Sequence, residues 1–192
     1  RSNNASIKYN YIHHNRRKSR GYGVVVQNGN ASADIMYNVF DANRHAIAGS
    51  GRSGERYVAA WNLVLPEGNG HAFDMHAYQG IGGQEVIIES NLFDYGSTCW
   101  GHQPAINVRG VPENGLATIS TNWVRTPYQF TDCGNRQQLS VKGVGSPVES
   151  ELLSNGNSFD MTFSYDKVFP CHVRTQSPYK SLRVACDTIQ GQ

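Results

Sequence analysis

Six polar side chains occupy matching positions of three consecutive strand-like segments, and together they could remove a proton beside a carboxylate. They are Asp74, His76, Asn107, Arg109, Ser140 and Lys142. Such a reaction needs a base near the carbon and a cation or strong hydrogen-bond donor at the carboxylate. We interpret His76 or Lys142 as the base and Arg109 as the carboxylate binder. Asp74 would orient His76 or bind a cation. The alternative is that these charged groups are ordinary solvated surface.

Two of these six side chains, together with two histidines, are candidates for contact with a substrate. Asn107 and Ser140 lie two residues before Arg109 and Lys142, whereas His45 and His71 begin their own segments. The histidines could face a groove at a corner of the chain path, or join His76 in a catalytic or metal-binding trio. Structural histidines are commoner than either. We therefore predict substrate contacts from these four and predict no metal ligand.

A short strand that recurs five times is expected to position these residues. The copies span residues 22–27, 45–50, 71–76, 104–109 and 137–142. Two columns of mostly apolar residues result, and successive side chains of a strand point to opposite faces. The inward columns are Val24, Ile47, Phe73, Ile106, Leu139 and Val26, Gly49, Met75, Val108, Val141. The residues between and after them, including the candidate site, should therefore face outward on coils about 4.8 Å apart.

A second repeated motif is an asparagine followed by two mostly apolar residues. It occurs at Asn10, Asn38, Asn62, Asn91 and Asn122, each behind a further strand-like segment. Asparagine tolerates the left-handed backbone conformation of a corner, and its amide can bond to the same residue of the next coil. A period of 24 to 31 residues with two strands and no helical pattern is typical of a β-solenoid.

Composition limits the function classes. The chain has 192 residues, 20 glycines and 17% charged residues, which favours short strands and many turns over helices. A net charge of +2 argues against duplex nucleic acid as a partner, and no apolar run is long enough for a membrane span. Four cysteines without metal-ligand spacing and two sequons, at Asn4 and Asn30, predict a secreted, disulfide-bonded glycoprotein. No signal peptide stands at Arg1, which is consistent with a mature chain, a processed chain or a fragment.

The spaced asparagine motif with its partner strand resembles the right-handed parallel β-helix superfamily, which includes pectate lyases, polygalacturonases, alginate lyases and phage tailspikes. The resemblance covers roughly residues 3–143 and implies a secreted protein with a polysaccharide groove on one outer sheet face. Lyases of these families supply Arg, Lys or His from such a face, so the resemblance favours β-elimination on an acidic glycan. The chain has neither the clustered Asp residues of polygalacturonases nor the acidic calcium nest of pectate lyases. Glycoside hydrolysis is therefore less favoured, no cofactor is predicted although a bound calcium ion stays open, and non-catalytic glycan binding is the alternative.

The last part of the chain departs from the repeat. We predict parallel β-helix coils over residues 1–143, and a last irregular coil with a C-terminal capping region over residues 144–192. A solenoid needs such a cap because its terminal coil exposes core and unpaired backbone. Of three connectivities we predict the disulfides Cys171–Cys186, which would tie the cap, and Cys99–Cys133. No comparable cap precedes the first coil, which suggests upstream coils or a partner chain at that end.

Overall fold

The protein is an all-β parallel β-helix. The computed structural model describes residues 3–68, 70–94, 104–115, 117–125, 129–130, 136–137, 139–141 and 155–159. Within this part of the chain the regular elements are all strands. No helix there has the length and hydrophobicity to cross a membrane.

Three parallel sheets form the walls of the solenoid, and each coil gives one strand to each sheet. The first sheet contains β1 (Ala5–Lys8), β4 (Ser32–Met36), β7 (Arg56–Ala60), β10 (Glu85–Glu89) and β13 (Thr118–Ser120). The second contains β2 (Tyr11–His13), β5 (Val39–Asp41), β8 (Leu63–Val64), β11 (Leu92–Phe93), β14 (Trp123–Val124) and β18 (Ser158–Phe159). The third contains β3 (Tyr22–Val26), β6 (His45–Gly49), β9 (Phe73–Met75), β12 (Ile106–Val108) and β17 (Leu139–Val141). A separate antiparallel pair joins β15 (Gln129–Phe130) to β16 (Arg136–Gln137).

The third sheet confirms the predicted columns. Val24 pairs with Ile47, Ile47 with Phe73, Phe73 with Ile106, and Ile106 with Leu139. All of these side chains are buried in one continuous core. Gly49 interrupts the second column because an added Cβ would collide with the Met75 side chain of the next coil. The register of the sheet is thus set by apolar side chains that fill the inside of every coil.

The asparagine ladder is also confirmed, and it is longer than predicted. Each side chain after Asn10 accepts from the backbone N–H and the amide of the preceding asparagine, as Asn62 Oδ1 does from Asn38 at 3.0 and 3.1 Å. Asn157 extends the ladder by accepting from Asn122. The expected left-handed backbone lies one residue earlier than we predicted. Residues with a positive φ of 53° to 61° precede the motif at Tyr9, Tyr37, Trp61, Ser90 and Thr121.

The C-terminal part adds one strand to the solenoid, because β18 pairs with β14 in the second sheet. The four cysteines, and with them both predicted disulfides, lie outside the described residues. Lys142 lies outside them as well.

Candidate functional site

Asp74 is the centre of the predicted site, in the middle of β9. Its carboxylate is fully buried and accepts two bonds from Arg109, from Nε to Oδ1 at 3.0 Å and from Nη2 to Oδ2 at 2.7 Å. His76 Nε2 lies 3.0 Å from the same Oδ2. Burial opposes ionisation, but the His76 hydrogen bond and the Arg109 charge outweigh it and lower the pKa of Asp74. The carboxylate is therefore ionised at neutral pH.

His76 is oriented by this carboxylate. A carboxylate oxygen accepts, so His76 donates from Nε2, and the neutral ring then carries its lone pair on Nδ1. Its side chain is 41% exposed, whereas Asp74 is inaccessible to solvent. The pair therefore places at the surface an imidazole whose neutral form has a defined tautomer, with a buried carboxylate behind it. Of the two roles predicted for Asp74, the geometry fits orientation of His76 rather than cation binding, because both carboxylate oxygens already accept from side chains.

Arg109 is held in place by the buried carboxylate. Its side chain is 36% exposed, and it follows β12, one coil from Asp74 and His76. Asp74 contacts both Arg109 and His76, so the protein itself supplies a negative charge beside the Arg109 guanidinium.

His45 and His71 lie beside the carboxylate, although strict alternation from Ile47 would turn His45 toward the core. Two successive amides share one acceptor here: the N–H groups of Ala46 and Ile47 both donate to the Ala72 carbonyl, at 2.9 and 3.0 Å. This local departure from regular pairing lies next to His45, whose Nδ1 is 3.9 Å from Asp74 Oδ2.

Both histidines are neutral. His45 donates from Nδ1 to the His71 carbonyl at 2.7 Å, and His71 donates from Nδ1 to the Pro104 carbonyl at 3.1 Å. His71 Nε2 accepts from the Asn107 amide at 2.9 Å. Burial lowers the pKa of His45, and it lowers the pKa of His71 to about 4. The approach of His45 to Asp74 is therefore not an ion pair.

Two buried polar atoms next to this network, His45 Nε2 and the Tyr57 hydroxyl, have no hydrogen-bond partner among the described residues. Burial and then the negative charge of Asp74 raise the pKa of Tyr57, which keeps the phenol protonated. Tyr57 could not be recognised from the sequence as a neighbour of this site, because its strand β7 belongs to a different sheet.

The outer face is less open than predicted. In the column that should face solvent, Val25 is 41% exposed, but Ala48, Asp74 and Asn107 are buried. His45 and His71 are buried as well, so they do not line an open groove. Of the described candidates, only His76 and Arg109 reach solvent. Ser140 belongs to β17, whose backbone pairs with β12 at Asn107, and the position of its side chain is outside the description.

The two sequon asparagines, Asn4 and Asn30, are both exposed. Among the described residues no group of three or more His, Cys, Asp or Glu side chains could hold a metal ion. A concavity lined in part by Phe40, Arg44 and Leu65 has room for about one water molecule, so it is too small for a sugar.

Comparison with known proteins adds no further information: no family model matches this chain, and neither the curated proteins nor the solved structures contain a match.

Proposed function

We propose that this chain is a secreted, polysaccharide-active protein that cleaves an acidic glycan by β-elimination, with His76 as the base. The observation that carries the proposal is the Asp74–His76 pair. A buried carboxylate fixes the tautomer of a surface imidazole and leaves Nδ1 as the acceptor for a proton. A surface histidine without a function does not need a buried carboxylate to orient its ring.

In the proposed reaction, His76 Nδ1 takes the C5 proton of a uronate residue. The C5–H electron pair forms the C4=C5 double bond, and the glycosidic C4–O bond breaks. The departing oxygen keeps that bond's electron pair and takes a proton from water. The protonated imidazole that forms is stabilised by the ionised Asp74, because it donates to that carboxylate at 3.0 Å.

Arg109 is the proposed contact for the uronate carboxylate, since its guanidinium lies at the same carboxylate as His76 and is partly exposed. Guanidinium groups bind carboxylates with directed pairs of hydrogen bonds. The bond to Asp74 weakens the net attraction of Arg109 for an anion but fixes its position. Asn107, His45 and His71 are positioning residues in this proposal, because they are buried and act through Asp74 and through each other. Ser140 and Lys142 stay predicted contacts.

The direct test is turnover of a panel of uronate polymers, such as polygalacturonate and alginate, followed by the ultraviolet absorbance of the unsaturated product. His76→Gln should lower kcat by about 10²–10⁴, the usual contribution of a general base. Glutamine can still donate a hydrogen bond to Asp74, so the buried carboxylate keeps a partner.

The matched control is His13→Gln, the same substitution at an exposed histidine of β2 in the second sheet. It should leave turnover within about twofold of the unmodified protein. Equal turnover in both variants would exclude His76 as the base. Absence of product with every uronate polymer would exclude the lyase activity.

A second candidate function, non-catalytic glycan binding, is favoured by the Arg109–Asp74 bond. The negative charge of Asp74 offsets the positive charge of Arg109 that would otherwise polarise a substrate carboxylate. In addition, four of the candidate site residues are buried: Asp74, Asn107, His45 and His71. Retention of the protein on a uronate polymer without release of unsaturated product would support this alternative.

A further inference from the structure

The first coil carries a surface of concentrated positive charge that the proposed active face does not include. Residues 1–33 contain six Lys and Arg and no Asp or Glu, which leaves eleven Lys and Arg against fifteen Asp and Glu in residues 34–192. The net charge of +2 for the whole chain is therefore the sum of a strongly basic first coil and an acidic remainder. Most of this charge lies in a single turn between β2 and β3, at Arg16, Arg17, Lys18 and Arg20.

This turn has a defined backbone. Arg17 and Arg20 exchange two backbone hydrogen bonds, at 2.9 and 3.1 Å, and Ser19 between them adopts a left-handed φ of 59°. Arg16 extends from the turn to the Glu67 carbonyl, which accepts from Nη1 at 3.1 Å. The four basic side chains are thus presented on a closed, anchored turn rather than on a free loop.

Within the described part of the chain, the cations of the turn have no partner of opposite charge. All four side chains are exposed, and within the described residues none of them forms a salt bridge, although Arg56, Arg109 and Arg125 all do. Four like charges on one turn repel one another unless an anion is bound. The turn therefore favours a ligand with several negative charges.

Arg44 continues the basic surface onto the second coil. Its backbone N–H donates to the Gly21 carbonyl at 2.9 Å, so it lies next to the end of the turn. Its guanidinium donates to the Tyr22 hydroxyl at 3.2 Å and is 5.9 Å from the centre of that ring. The side chain is thereby held beside the start of β6, in the same sheet as Asp74.

We propose that the turn of residues 15–21, together with Arg44, binds the carboxylates of an acidic polysaccharide chain whose further sugars reach the Asp74–His76 face. The inference rests on the proposed function for the identity of the polymer. The turn leads into β3, and β3 lies two strands from β9 in the third sheet, about 10 Å along the solenoid. A glycan of a few sugars can span that distance.

The charge distribution favours a flexible glycan over duplex nucleic acid. A duplex is stiff and carries one charge per about 1.7 Å, so it would lie across several coils and meet the acidic remainder of the chain. A single glycan chain can contact the first coil and continue along one sheet. Its sparser charges match a surface of five cations.

The test measures binding of polygalacturonate in the His76→Gln background, so that the polymer is not cleaved. Replacing Arg17, Lys18 and Arg20 together by Gln should weaken binding roughly tenfold at low salt and make it less dependent on salt. Arg16 is left unchanged because it holds the turn to Glu67. The single variant Lys18→Glu, at the tip of the turn, should weaken binding in the same direction and tests the surface even if the triple variant fails to fold.

A matched control removes the same number of positive charges elsewhere. Lys8, Arg52 and Arg125 are exposed and lie outside the turn, and their joint replacement by Gln should change affinity by less than about threefold. Equal weakening in control and turn variants would overturn the assignment, because net charge alone would then explain binding. Tighter binding of a sulfated polymer or of duplex DNA than of polygalacturonate would overturn the choice of ligand.

The binding test of the basic turn and the turnover test of the Asp74–His76 face can fail independently of each other. Unchanged binding in the turn variants, with turnover that depends on His76, overturns this inference and leaves the lyase proposal standing. Weakened binding in the turn variants, in a protein that yields no unsaturated product, supports this inference and overturns the lyase proposal.

Discussion

Asn62 lies inside the asparagine ladder and offers a sharp test of what holds the coils in register. It is fully buried, donates from Nδ2 to the Ile35 carbonyl at 2.8 Å and to Asn91 Oδ1 at 3.0 Å, and accepts from the backbone and side chain of Asn38. Asn62→Ala removes both functions. The Asn38 backbone N–H is left buried without its acceptor, whereas the Asn38 amide keeps bonds to the carbonyls of Ile7 and Met36.

The expected cost follows from those groups. One orphaned buried N–H costs about 1–3 kcal/mol, and the loss of the bond to the Ile35 carbonyl adds about 1 kcal/mol. The lost bond to Asn91 adds little, because Asn91 Oδ1 still accepts from the Asn62 backbone N–H. We therefore expect Asn62→Ala to lower the free energy of unfolding by about 2–4 kcal/mol. In a chain of this length the melting temperature should fall by roughly 4–16 °C.

Asn10→Ala is the matched control, because Asn10 is an exposed member of the same ladder. It donates to Asn38 and to the Lys8 carbonyl, and its backbone N–H also donates to Asn38 Oδ1, so the substitution orphans no buried group. We expect a loss below about 1 kcal/mol. Urea unfolding followed by far-ultraviolet circular dichroism measures both. Equal losses, or a loss below about 1 kcal/mol at Asn62, would refute the view that the buried ladder is a main source of stability.

Three further predictions concern the pH dependence, the core and the cysteines. The pKa of His71 is lower in the folded chain, about 4, than its ordinary value of 6.5, so its contribution to stability is complete above pH 6.5 and is lost as the pH falls toward 4. His71→Gln should remove up to about 3 kcal/mol of this acid destabilisation. Urea unfolding at pH 7 and pH 4.5 measures it, and an equal loss of unfolding free energy between the two pH values in the variant and the unmodified protein would contradict the prediction. Phe73 is fully buried against Phe40 and Phe93, so Phe73→Ala should lower the free energy of unfolding by about 3–5 kcal/mol. Val25→Ala, at the exposed outer position, should lower it by less than about 1 kcal/mol, and similar urea midpoints for the two variants would show that the Phe73 column is not the core. Mass spectrometry of the non-reduced protein should find two disulfides, and free thiols would remove the main argument for secretion; the expected pairs are Cys171–Cys186 and Cys99–Cys133.

The repeat itself was sufficient to predict the fold. An apolar pair with a period of two inside each strand must face the core, and buried asparagines at equivalent positions must bond to one another. The pairings of Val24 with Ile47 and of Asn38 with Asn62 follow from these two requirements. Because each coil has the same pattern of buried residues, the strand pairing of one coil is repeated in the next.

The candidate site was predicted only as a group of neighbours. Alternation placed Asp74 and Arg109 on the same outward side of adjacent strands, and the structure joins them directly. Alternation could not show that Asp74 is fully buried, that it orients His76, or that His45 lies close to the same carboxylate. These features depend on which groups cover the outer face and on a local departure from regular pairing. Burial and hydrogen-bond partners arise from contacts between coils, so tertiary structure decided the protonation states of His45, His71 and Asp74, and with them the chemistry that this face can perform.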